Sequence, residues 1–268
     1  MDVSFKKSPS NLKEFLNSED AVAEVLDFVT ILGILIISFS LIGLMGYPAI
    51  RSAQESRFTE NTRQSFVVLA DNVNKIALGQ APSQSVEIKL YGGKLSVTGD
   101  STIQINGTIY NASSMTSSEI TLDIESMRSI ENSIGETMVA YEGTGVWVKY
   151  SDDVILNPSK PLIINQSNVL IIPIVYLYGE SEIAGSGISR VTLCPDQPCS
   201  PELTIWSNVS NVTITITGKY TSGWKDYFRN AKGLNWEIGG TGDNYTAKLN
   251  NTGMDVHILK TLIYAVIT

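Results

Sequence analysis

From Phe28 to Ile50 the chain reads FVTILGILIISFSLIGLMGYPAI, without a charged side chain anywhere in the run. A helix rises about 1.5 Å per residue, so about 20 apolar residues cross a hydrocarbon core of ~30 Å. Phe28 to Tyr47 already reaches that length, and a transmembrane helix is expected here. Arg51, Arg57 and Arg63 follow at once, and no second helical apolar block is present to bury the run in a soluble core. A secretory signal would end its apolar run after ~7–15 residues at a small-x-small site, so retention as an anchor is expected.

Beyond Pro48, where a kink is expected, no helix breaker occurs until Gly79. Phe66, Leu69, Val73 and Ile76 recur at spacings of three, four and three, which sets them on one face of a helix. Gly79 suits the position just past a helix end, and Pro82 follows it. From Pro82 the period changes to two. Val86, Ile88 and Leu90 alternate with polar residues, Gly92-Gly93 follows, and Leu95 and Val97 resume the alternation, the pattern of a β-hairpin. Many further short runs alternate in the same way between Gly, Asn and Ser turns. The runs at NVLIIPIVYLYG and MDVHILKTLIYAVIT are apolar on both faces and should be central strands. One helical interruption, SGWKDYFRNAK, carries Trp224, Tyr227 and Phe228 and is expected to plug an edge or end of a sandwich.

The expected fold class is therefore α+β, with a long N-terminal helix, transmembrane and then amphipathic, leading into an antiparallel β-sandwich-like head. The divisions are a cytoplasmic leader at 1–20, a transmembrane helix at 21–50, an amphipathic continuation at 51–79 and an extracellular β-rich head at 80–268.

A net charge of −8 with no cluster among the 19 Lys and Arg residues argues against a nucleic-acid partner, which would need a basic patch. Cys194 and Cys199 in CPDQPC close a short loop, and a disulfide is expected if this region faces an oxidising space. Asn106, Asn111, Asn165, Asn208, Asn211, Asn244 and Asn250 each begin an Asn-x-Ser/Thr sequon, all in the β region, which favours an extracellular and glycosylated head. Chemistry is harder to find. His257 is the sole histidine and alternates with apolar residues in a strand, and no GxSxG, HExxH or glycine-rich phosphate loop is present. No catalytic residue, metal site or cofactor is assigned, and the chain is not expected to be an enzyme.

The segment AVAEVLDFVTILGILIISFS, a small-residue start with an acid just before the apolar helix, resembles archaeal type IV pilin-like and archaellin-like secreted proteins. ENTRQSFVVLADNVNKIALGQAPSQSVEIKLYGGKLSV extends that resemblance toward an uncharacterised archaeal branch of the group. The resemblance implies cleavage by a prepilin peptidase before the apolar helix, bundling of the helices of like or related pilin subunits, and Glu24 as the acid that contacts a neighbouring subunit. Asn17-Ser18-Glu19-Asp20 stands where the family has a Lys/Arg-Gly type cleavage motif, and Asp27 adds a second acid. The expected function is a pilin-like structural or minor subunit on the cell membrane. The other reading is a monomeric membrane-anchored domain that binds glycans or envelope proteins.

Overall fold

A computed structural model describes residues 19–111, 116–231 and 235–268. The described residues divide into two units along the chain, with the boundary between Gln54 and Glu55. Residues 1–18 of the expected leader lie outside the described residues.

The first unit contains helix α1 (Glu19–Leu41), a π-helical turn (Ile42–Gly46) and the opening of helix α2 (Tyr47–Ala77). A helix long and apolar enough to cross a membrane is thus present, and its most apolar window buries nothing. Phe39 is 70% exposed and Leu44 75% exposed. The hydroxyls in this run bond within the helix: Thr30 Oγ1 donates to the Leu26 carbonyl at 2.7 Å, Ser38 to Ile34 at 2.7 Å and Ser40 to Ile36 at 2.8 Å. Such back-bonding leaves no hydroxyl proton seeking water, as an apolar solvent requires. The wide turn sits just before Pro48. Proline has no N–H, and its ring crowds the carbonyl four residues earlier, that of Leu44; a π turn over Ile42–Gly46 loosens the ladder at that place.

In the second unit one face of α2 is packed away. Thr59, Thr62, Phe66, Leu69, Ala70, Val73, Asn74, Ile76 and Ala77 are buried, and the four residues picked out by periodicity are fully covered. The opposite face carries the pairs Arg63–Glu60 and Lys75–Asp71. Gly79 ends the helix at φ +70°, its N–H bonded to the Ile76 carbonyl and that of Gln80 to the Lys75 carbonyl. Two polar ties fix the helix further. Asn74 donates to the Thr144 carbonyl at 3.1 Å and accepts from the Tyr141 hydroxyl at 3.1 Å, and Thr261 Oγ1 donates to the Ala77 carbonyl at 3.2 Å.

The strands form two sheets. The larger runs β1 (Gln84–Lys89), β12 (Ile188–Leu193), β15 (Asn244–Ile267), β13 (Glu202–Thr217), β3 (Thr102–Asn111), β4 (Thr116–Ser126), with β10 (Val169–Tyr178) and β14 (Trp236–Gly239) also on β15, and β9 (Ile164–Gln166) on β10. The smaller runs β11 (Glu182–Ala184), β2 (Lys94–Thr98), β5 (Ser129–Ile134), β6 (Thr137–Glu142), β7 (Gly145–Lys149), β8 (Ile155–Ser159). Helix α3 (Thr221–Arg229) lies against β8, β13, β14 and β15 and so touches both sheets.

Two expectations are corrected. Tyr91 and Gly92 do form a tight turn, both at positive φ and closed by Gly93 N–H to the Leu90 carbonyl, but the strands on its two sides do not pair with each other. β1 pairs with β12 and β2 with β11, so residues 84–98 and 182–193 make one bent ribbon that passes from the larger sheet to the smaller. The second concerns direction. β10 runs parallel to β15, from Val169 opposite Asp255 to Tyr178 opposite Tyr264, in an otherwise antiparallel sheet. Both segments are apolar without regular alternation, and β10 is buried on both faces from Ile172 to Leu177, the setting in which parallel pairing is common, while β15 keeps one partly open face with Leu262 54% exposed.

Alternation shows up instead as a division between two cores. Val139, Tyr141, Val146 and Val148 join the α2 cluster, whereas Ala140 and Trp147 between them join the cluster beneath α3. β15 serves both, Val256 and Ile258 facing one core and Ile263 and Ala265 the other. Truncating Phe66 to alanine in the detergent-solubilised full chain is expected to cost about 3–5 kcal/mol of head stability in a urea titration. Val68→Ala, on the exposed face, should change it by less than about 0.5 kcal/mol.

Candidate functional site

Glu24 is exposed on α1, with Asp27 three residues further on. Far along the chain, Cys194 and Cys199 are bonded to each other, with Cα atoms 5.9 Å apart. Cys194 N–H donates to the Tyr264 carbonyl and Cys199 N–H to that of Pro82, so the short loop is pinned both to β15 and to the segment leaving α2. Asn165, Asn208, Asn244 and Asn250 are exposed, whereas Asn106 and Asn211 are half-buried in paired strands and Asn106 Oδ1 is sequestered. Asn111 closes β3, and its side chain lies outside the described residues. His257 is half-buried, opposite Ile171 on one side and Ile205 on the other. Among the described residues no group of three or more His, Cys, Asp or Glu is placed to hold a metal ion.

What the sequence did not single out is a buried pair of carboxyl groups beneath α3. Glu142 accepts from Ser101 Oγ at 2.7 Å and Trp224 Nε1 at 3.1 Å, and its backbone carbonyl accepts from Trp147 Nε1. Glu131 accepts from Tyr220 at 2.8 Å, Ser129 at 3.0 Å and Lys219 Nζ at 2.8 Å. Burial is the main force on Glu142 and raises its pKa to about 7, opposed by the bonds from Ser101 and Trp224. The hydroxyl of Tyr220 is likewise pushed far up by burial and by the nearby Glu131 charge. Trp147 and Trp224 lie 5.0 Å apart in this cluster, and Gly223 allows α3 to settle on Trp147, since a Cβ there would come within 2.7 Å of the indole.

Beside the cluster a cavity of about 540 Å³ opens between α3, β8, β9 and β14. Ile155, Ile163 and Pro161 supply carbon to its wall, Tyr227 an aromatic ring, and Lys160 and Asp226 one charge of each sign. Tyr227 is anchored by its hydroxyl, which donates to the Pro161 carbonyl at 3.1 Å. Of the sequence-marked residues, Asn165 is at this cavity, while Glu24, the disulfide and the remaining described sequons are not.

The model of a family of unknown function, DUF7289, matches residues 21–263, from the first turns of α1 into β15. The chain belongs to DUF7289. No curated protein and no solved structure matches it. In this DUF7289 chain the matched span takes in the apolar helix, α2, the carboxyl pair and the cavity alike.

Glu142 gives the DUF7289 head a pH dependence of definite sign. The unfolded chain ionises Glu142 near its ordinary 4.5, while the fold keeps the proton to about 7. Between those values the unfolded state binds fewer protons, so this residue's contribution to stability falls as pH rises through the window and is level outside it. Glu142→Gln should flatten that part of a melting-temperature profile taken from pH 4 to 8. Replacing Cys194 and Cys199 by serine is expected to lower stability by about 2–3 kcal/mol at most. Pro195 and Pro198 already restrict the loop and reduce that loss; a denaturant titration of the double variant measures it.

Proposed function

We propose that the protein is a membrane-anchored surface protein of the archaeal pilin-like type, with the apolar helix as assembly element and the β head displayed outside the cell. The observation that carries this reading is the contrast along one helical stretch: the apolar window buries nothing, whereas α2 further on gives a complete face to the core of the head unit. An exposed surface of that kind requires lipid or like helices around it. The internal bonds of Thr30, Ser38 and Ser40 suit either environment.

Between helices in lipid there is little hydrophobic gain, so association rests on close packing and on matched polar groups. Gly33 and Gly43 have nothing within 4 Å of where a Cβ would stand, which leaves room for a neighbour's backbone. Glu24, exposed near the start of α1, supplies the polar element. In this reading a prepilin peptidase frees an α-amino group near Ala21, and Glu24 of one subunit pairs with that amine on the next. A carboxylate left unpaired in such a place costs several kcal/mol, enough to fix the register between subunits.

Glu24→Gln should leave the protein in the membrane fraction and lower the yield of extracellular filament recovered by shearing. Equal filament from wild type and variant, or no filament from either with the head still removed by protease added to intact cells, would favour a plain surface anchor. Head fragments released only after permeabilisation would reverse the orientation.

A further inference from the structure

The cavity beside α3 has a chemistry that assembly does not use, and its wall holds two polar side chains without partners among the described residues. Trp147 and Trp224 both donate their indole N–H groups to Glu142, yet Trp236, 9% exposed, has no acceptor for its own among the described residues. Asn157, in β8, lacks partners among the described residues at both ends of its carboxamide. A buried donor or acceptor left unsatisfied is costly, so the fold maintains a donor and a donor–acceptor pair that something else can satisfy.

We propose that this cavity binds one neutral sugar unit of a glycan. A volume of about 540 Å³ lies within the usual range for small-molecule sites. Lys160 and Asp226 put one charge of each sign on the lining, and Asp226 is paired with Arg229 at 3.2 Å, so the wall offers no concentration of like charge to a strongly ionic ligand. Aliphatic wall groups and the Tyr227 ring suit the C–H face of a pyranose, whose hydroxyls both donate and accept, as the Asn157 amide requires. A peptide also carries neutral donors and acceptors, but it would bind most simply by extending a sheet. Three edge strands adjoin the cavity: β8 contains Pro158, which has no N–H to offer a ladder, and β9 and β14 are only three and four residues long. The polar atoms of Trp236 and Asn157 are buried behind the cavity wall, and sugar binding requires them to turn toward the ligand. The inference holds whether or not the chain assembles into filaments.

The sugar can belong to a separate glycan or to one carried by Asn165 at the cavity. The test uses full-length protein from a host without N-glycosylation, kept in a sugar-free zwitterionic detergent. Methyl α-glucopyranoside, methyl α-mannopyranoside, methyl α-galactopyranoside and N-acetylglucosamine are the probes, followed by saturation transfer and by the indole N–H resonances. At least one sugar should bind saturably and move the resonance that is missing from Trp236→Phe. Asn157→Leu should melt within a few degrees of wild type and bind about tenfold more weakly, the loss expected for a hydrogen bond to ligand. Blocked sugar binding in glycosylated protein that returns in Asn165→Gln would identify the chain's own glycan as the occupant; binding unaffected by glycosylation would identify a separate one. No transfer to any of the four sugars, equal affinity in Asn157→Leu, or displacement of the sugar by trialanine amide would overturn the proposal.

Discussion

A helix with one apolar stripe must remove that stripe from water, and in the second unit strands of both sheets take it up. Phe66, Leu69, Val73 and Ile76 share a core with Val86 and Val191 of the larger sheet and with Val139 and Val148 of the smaller. Hydrophobic burial supplies the attraction but no direction, since it scales with area alone. Direction comes from the bonds around Asn74 and from Thr261 to the Ala77 carbonyl, which admit one rotation and one height of the helix. Interrupting this contact would uncover the faces of β5 to β7 that look toward α2, so the smaller sheet depends on it as much as the helix does.

The second core is organised differently. There the filling is aromatic, from Trp147 and Trp224 to Phe228 and Trp236, and two carboxyl groups are enclosed with it. Glu131 and Glu142 have their oxygens directed at donors on the segment around α3, which positions that helix across both sheets. A buried carboxyl is worth keeping only with such partners, because removing a partner leaves a desolvated acceptor behind.

Much of this was readable in the sequence where periodicity alone decides. The 3.6-residue stripe of α2 and the glycine at its end are one-dimensional patterns, and each maps onto a local structure; of the two segments expected as central strands, β15 is central, whereas β10 has only the three-residue β9 on its outer side. The partners of β1 and β2 were not readable. Tyr91-Gly92 is a good turn, but the segments that pair with it begin at Glu182, and nothing in the local pattern records so distant a choice. The carboxyl pair was hidden for a similar reason: Glu131 and Glu142 look like ordinary polar positions on alternating strands, and only the second layer shows that they are covered. A signal for the second core was present in the aromatic residues of SGWKDYFRNAK, where Trp224 and Phe228 are buried in it and Tyr227 lines the cavity beside it.

The bent ribbon and the closing strand bear on how the molecule is made. Gln84 pairs with Leu193, Val191 with Ile267, and the last turn of α2 receives its bond from Thr261. Contacts of such long sequence separation carry a loop-closure cost before they return any stability, and they form slowly. A ribosome working from the N-terminus therefore releases the apolar stripe of α2 long before β15 exists to cover it. The edge of β1 therefore waits unpaired until β12 emerges, and the part of the stripe that β15 covers waits longer still.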